Sequence, residues 1–209
     1  MKLSQLSTAE FIQELSSNSP APGGGSVAAL AGALSASLCA MVSRQTIGKK
    51  KYRKAWETMK KVINKSEGLT ERFLVLMDED TQAYNQVVTA MRLPRETNEQ
   101  TIARNSAIQQ ATKNAALIPL ETLKAVAELA GMAQAAVEKG NSNCITDAGT
   151  AAQLVRTAAL AAAYNVRINI GAINDKNFVD RCSLEVDKIL SQVDKTITHL
   201  ERKLTEALI

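Results

Sequence analysis

Apolar and polar positions along the chain follow helical periods, broken by proline and glycine. Between Val27 and Val42 nearly every residue is apolar or small, with Ala, Gly and Ser set among Leu30, Leu34, Leu38 and Met41. A helix coated in small residues lets neighbouring backbones come close, which places it centrally. Ahead of it stands Pro20-Ala21-Pro22-Gly23-Gly24-Gly25-Ser26. The prolines deter helix before Gly23, and the glycines permit conformations that other residues resist. The pattern predicts helix from Ser26 to about Thr46, ended by Gly48. Its start offers free N–H groups and the positive end of the dipole, which suit an anion or a polar ligand atom. The plainer alternative is a flexible turn before a tightly packed helix.

Residues 7–17 read as a short helix capped by Ser7 or Thr8, with Phe11, Ile12 and Leu15 on its apolar side. Residues 54–92 read as one long helix, bent near Gly68, with a seam at Val62, Ser66, Leu69, Phe73, Leu76, Asp80, Ala83, Val87 and Ala90. Leu93-Pro94 ends it. A helix over 97–118 meets Pro119, which kinks rather than stops it, because periodicity resumes from Leu120 to Val137. Gly140-Asn141-Ser142-Asn143 is a second break. An Ala-rich helix over 147–170 follows, and a final helix over 175–207 carries the stripe Phe178, Cys182, Val186, Ile189, Val193, Ile197, Leu200 and Leu204. A terminal stripe of that length often packs along a partner subunit. The expected fold is all-α: one multi-helix bundle over 1–209 around the small-residue helix, and homodimeric.

Composition narrows the functional classes. Aromatic residues make up 3% of the 209 residues, so the core must be built from Ala, Leu, Val and Ile. Net charge is +4, and much of the excess sits in Lys49-Lys50-Lys51-Tyr52-Arg53-Lys54. A nucleic-acid footprint would be broader and interleaved with stacking aromatics. The patch fits an anionic small ligand, or simply a solvated helix start. Cys39, Cys144 and Cys182 are far apart, and His199 is the sole histidine, so no zinc-type spacing exists. Free cysteines and a polar N-terminus point to a reducing, cytoplasmic setting. A membrane span needs about 18 uninterrupted apolar residues. Residues 148–173 come nearest and are interrupted by Arg156 and Arg167, so no membrane partner is expected.

Three polar groups break apolar faces: Asp80 with Tyr84, Asn165 with Asn169, and Asp147 at a helix start. Burial raises a carboxyl pKa unless cations or donors hold the charged form, and a pKa nearer neutrality suits general acid–base work. Asp78 and Glu79 fall off the seam. Asp80 is otherwise a structural carboxylate paired across the bundle, the two asparagines structural hydrogen-bonders, and Asp147 a cap. His199 lies off its helix's stripe and reads as surface. No Ser/His triad and no Gly-x4-Gly-Lys-Ser/Thr phosphate loop is present.

Phe11-x3-Leu15, Ser19-Pro20-Ala21-Pro22-Gly23-Gly24-Gly25-Ser26-Val27, Gly48-Lys49-Lys50-Lys51-Tyr52 and Asp78-x-Asp80-x2-Ala83-Tyr84 follow one another in order. Ala90-Met91-Arg92-Leu93-Pro94, Gly140-Asn141, Thr146-Asp147 and Asn165-Val166-x2-Asn169 continue the series. Together they resemble the formimidoyltetrahydrofolate cyclodeaminase/methenyltetrahydrofolate cyclohydrolase family in its stand-alone form. The resemblance implies an all-α homodimer that binds a tetrahydrofolate derivative, including polyglutamylated forms, near the subunit interface. It implies either closure of 5-formimidoyl-tetrahydrofolate with loss of ammonia, or hydrolysis of 5,10-methenyl- to 10-formyl-tetrahydrofolate. No metal and no cofactor beyond the substrate is implied. On this reading Asp80 moves protons and Tyr84 orients it. Gly24, Gly25 and Ser26 present N–H groups, Asp147, Asn165 and Asn169 bond the pterin edge, and Lys49, Lys50 and Lys51 attract the glutamate tail. The alternative is a folate-binding module, or a helical interaction scaffold, without catalysis.

Overall fold

The computed structural model describes residues 2–208. The chain forms α1 (Thr8–Leu15), α2 (Gly24–Thr46), α3 (Trp56–Met91), α4 (Asn98–Lys139), α5 (Ile145–Ile170) and α6 (Lys176–Leu208), with no strand among the described residues. The expected all-α bundle forms, and α2 lies at its centre, packed on α3, α4 and α5. Small residues make this possible. A Cβ on Gly32 would lie 2.6 Å from the Phe73 ring, and Ser35 Oγ donates to the Ala151 carbonyl at 2.8 Å. α2, rather than residues 148–173, is long and apolar enough to cross a membrane, and 67% of its apolar window is buried inside the bundle.

α2 begins at Gly24, two residues earlier than the pattern predicts, with Gly23 extended at the N-cap (φ −136°). None of the three glycines has positive φ; among the described residues only Gly48 does, at 87°. Their conformational freedom is therefore not what the fold uses. The long third helix starts at Trp56, because Lys50–Ala55 form a 3₁₀ turn. That turn is pinned from outside: the Ser142 N–H donates to Tyr52 Oη at 3.0 Å. α3 then runs unbroken past Gly68.

α4 is one helix of 42 residues through Pro119. Pro119 has no N–H, so the Ala115 carbonyl lacks its helical donor. Asn169 Nδ2, from α5, donates to that carbonyl at 2.9 Å instead. The stripe of α6 is spent within the chain. All eight of its predicted residues are buried, against α4 and α5, so it is not free to pack along a partner.

Direction matters for the site. α2 runs antiparallel to both α3 and α5, since Gly24 meets Asn165 while the Asn141 N–H donates to Thr46 Oγ1 at 2.8 Å. The bundle has a glycine end, holding the start of α2, Asp80 and Asn165. At the other, basic end lie Lys49–Lys51 and the start of α5.

Candidate active site

Asp80 lies on the seam of α3, opposite the first turn of α2. A Cβ on Gly25 would fall 2.1 Å from Asp80 Oδ1 and 2.6 Å from its Cγ. Gly25 is glycine because the carboxyl group occupies that space. Ser26 Oγ donates to Asp80 Oδ2 at 2.9 Å. Burial pushes the Asp80 carboxyl above the ordinary carboxylate range, while the Ser26 hydroxyl and backbone N–H pull it back. The dipole of α2 also favours the anion at this end. Asp80 is thus held in one place with its proton affinity raised, which suits a group that both takes and gives a proton.

The carboxyl opens into a cavity of about 360 Å³ lined by Pro20, Ala21, Gly23, Gly24, Gly25, Tyr84, Val87, Ala115, Asn165, Ile168 and Asn169. Asn165 Nδ2 donates to the Ala161 carbonyl at 2.8 Å, and a Cβ on Gly24 would press on it at 3.1 Å. Asn169 Nδ2 donates to the carbonyls of Ala115 and Asn165, both at 2.9 Å. A larger groove of about 800 Å³ between α3 and α4 holds amides such as Gln86 and Asn114 but no titratable side chain. The smaller cavity is the one that Asp80 lines.

Six of the sequence-derived candidates line it, Gly24, Gly25, Asp80, Tyr84, Asn165 and Asn169, while Ser26 is buried behind Asp80. Tyr84 lines the wall, 39% exposed, but makes no hydrogen bond to Asp80; Ser26 is the orienting group instead. Asp78 is tied to the N-terminal segment, accepting from Ser4 N and Ser4 Oγ at 3.1 and 2.6 Å. Asp147 and Lys49–Lys51 do not join the cavity of their own chain. Asp147 sits in the first turn of α5, where it makes no cap bond, because Cys144 is the N-cap. It stands about 27 Å along that helix from Asn165. Lys49–Lys51 lie past the far end of α2, about 33 Å from Gly24. Sequence reasoning missed Ser26 as the partner of Asp80 and Asn169 as the donor to Ala115. The second was signalled by Pro119, which always leaves a carbonyl four residues back.

A carboxyl with raised proton affinity is seated on a glycine-rich helix start inside an all-α bundle, an arrangement suited to moving a proton. The chain belongs to the formiminotransferase-cyclodeaminase family, whose match covers residues 7–188. It is 37% identical over 182 residues to a methenyltetrahydrofolate cyclohydrolase of Methylorubrum extorquens, covering 87% of this chain and 88% of that one. It is 31% identical over 182 residues to the formimidoyltransferase-cyclodeaminase of Rattus norvegicus, of whose length the match spans only 34%. Among solved structures it is similar to the formiminotetrahydrofolate cyclodeaminase of Thermotoga maritima, with TM-score 0.88, 25% identity and 98% of each chain covered.

Proposed function

We propose that the chain acts on the one-carbon unit bridging N5 and N10 of tetrahydrofolate, with Asp80 moving the protons. The observation that carries this is the Asp80 carboxyl, confined between Gly25 and Ser26 in the cavity wall with its pKa raised. The leading reaction is hydrolysis of 5,10-methenyl- to 10-formyl-tetrahydrofolate, favoured by the 37% identity to a cyclohydrolase over nearly its whole length. Water adds to the bridging carbon and gives one proton to the Asp80 carboxylate. The C–N5 bond then breaks, Asp80 returns its proton to N5, and the hydroxyl proton leaves as the formyl group forms. One proton is released to solvent for each cationic substrate consumed.

The second reading, ring closure of 5-formimidoyl-tetrahydrofolate with loss of ammonia, is favoured by the likeness to the Thermotoga cyclodeaminase. There Asp80 takes the proton from N10 as it attacks the formimidoyl carbon and delivers it to the departing amine. Neither reaction is redox, and water and the folate supply every other atom, so we propose no further cofactor or metal. The working form is proposed to be a cytoplasmic homodimer that uses polyglutamylated folates and engages neither nucleic acid nor membrane.

The test offers both substrates to the purified protein and follows the absorbance of the methenyl chromophore. Loss from the methenyl substrate marks hydrolysis, and gain from the formimidoyl substrate marks closure. Asp80→Asn should lower turnover at least about a hundredfold with an unchanged circular dichroism spectrum. Near-normal turnover in that variant removes Asp80 from the mechanism. Folate binding by titration without any absorbance change would mark a binding module instead.

A further inference from the structure

We propose that the proton held by Asp80 leaves the site through α3, by way of the Ser26 and Thr81 hydroxyls, into a second pocket under the N-terminal segment. This rests on the folate reading above for the proton it carries, but not for its geometry.

Hydrolysis of a methenyl bridge leaves one proton over in every turnover. A folate bound in the Asp80 cavity keeps water off that side, so the proton needs a route that does not cross the substrate. Asp80 and Thr81 are consecutive on α3 and point about 100° apart. Asp80 lines the cavity of about 360 Å³. Thr81 lines a separate pocket of about 490 Å³, with Lys2, Gln5, Asp78, Gln82 and Asn85 in its wall. Ser26 lies between the two side chains and is fully buried. Its Oγ stands 2.9 Å from Asp80 Oδ2 and 3.5 Å from Thr81 Oγ1.

Thr81 differs from its neighbours along the helix. Thr70 and Thr89, also on α3, donate to the carbonyls four residues back, those of Ser66 and Asn85, at 2.9 Å. Thr81 makes no such bond. The carbonyl it would use, that of Met77, lies 3.4 Å from Ser26 Oγ and accepts from it instead. Ser26 is the sole partner of the Thr81 hydroxyl among the described residues. Without the back-bond, that hydroxyl is free to turn between Ser26 and the pocket.

A hydroxyl can accept one proton and give another. While Asp80 is a carboxylate, Ser26 donates to its Oδ2. Once Asp80 is protonated, the contact reverses. Oδ2 gives its proton to Ser26 Oγ, Ser26 gives its own to Thr81 Oγ1, and Thr81 gives its own to water in the pocket. Three O–H bonds break and three form. Both hydroxyls end as they began, and one proton has crossed the helix. The Ser26–Thr81 separation must shorten by about 0.7 Å for the hop, and the unanchored Thr81 hydroxyl is the group that moves.

Thr81→Val keeps the shape of the side chain, removes the hydroxyl and costs the fold no helical bond. For methenyl hydrolysis its kcat should fall about tenfold with KM unchanged, while Thr81→Ser should keep wild-type kcat. Imidazole, a small base able to enter the pocket, should restore most of the lost turnover in Thr81→Val and leave wild type unaffected. Wild-type kcat in Thr81→Val, an equal fall in Thr81→Ser, or a fall that imidazole does not reverse overturns the proposal. Exchange of the Ser26 hydroxyl proton with water, followed by NMR, reads the route with no folate present. Thr81→Val should slow it at least about tenfold and Thr81→Ser should not; equal rates in all three proteins overturn the route. If wild type turns over neither folate, the functional reading has failed, while this exchange still decides the path.

Discussion

Gly25→Ala isolates what the start of α2 does for Asp80. The added methyl would lie 2.1 Å from Asp80 Oδ1, 2.6 Å from Cγ and 2.8 Å from Oδ2, whereas ordinary contact begins near 3.4 Å. The carboxyl must retreat by more than an ångström, since the methyl is fixed to the first turn of a packed helix. Displacing a reacting group by about 1 Å costs roughly a hundredfold in rate. Stability should change much less. Overpacking costs about 1–3 kcal/mol, and replacing glycine by alanine in a helix returns about 1 kcal/mol. The expected outcome is a folded protein whose kcat falls about a hundredfold, measured by methenyl absorbance at saturating substrate with melting monitored in parallel. Gly24→Ala is the control. Its methyl meets only the Asn165 amide, 3.1 Å from Nδ2, and should cost far less. If Gly25 acts by seating Asp80, combining Gly25→Ala with Asp80→Asn should be no worse than Asp80→Asn alone. Wild-type turnover in Gly25→Ala, or multiplying effects in the double variant, would refute the seating argument.

Because burial raises the folded-state pKa of Asp80 above its ordinary 3.8, its ionisation weakens the fold as pH rises from about 3.8 through that raised value. Asp80→Asn should therefore melt higher than wild type at pH 7, and the gain should vanish once both states are protonated near pH 3; a lower melting temperature at pH 7 contradicts the assigned cause. Asn169→Ala leaves the buried Ala115 carbonyl without a donor and should cost about 1–3 kcal/mol by urea unfolding. With Pro119→Ala in place, the helix supplies its own N–H, and the cost of Asn169→Ala should shrink; equal costs in both backgrounds would separate the two residues. Gly68 is exposed mid-helix with open space around it, so Gly68→Ala should stabilise by about 1 kcal/mol, or about 2–4 °C in melting temperature.

Much of this architecture was legible because it rests on local rules. The 3.5-residue seam of α3 singled out Asp80 as a carboxyl in a core register, and all-helical packing followed from an alanine-rich, aromatic-poor composition. What escaped the sequence was set by contacts across the bundle. The triple glycine suggests unusual φ, but its purpose is room for Asp80 and Asn165. Tyr84 is placed by periodicity one turn from Asp80, yet Ser26, more than fifty residues away in the chain, makes the hydrogen bond. The α6 stripe was visible, but whether its own chain or another would cover it depends on where α4 and α5 lie. Asp147 and Asn165 share a helix face, and only a measured helix length separates them.

The proline in α4 also fixes a polarity. Both amide protons of Asn169 are engaged by the carbonyls of Ala115 and Asn165, so this side chain cannot turn over without abandoning two bonds. Only its oxygen is left for a guest. A residue whose fault is to lack a hydrogen thus dictates, one helix away, that whatever lies against this wall must bring one.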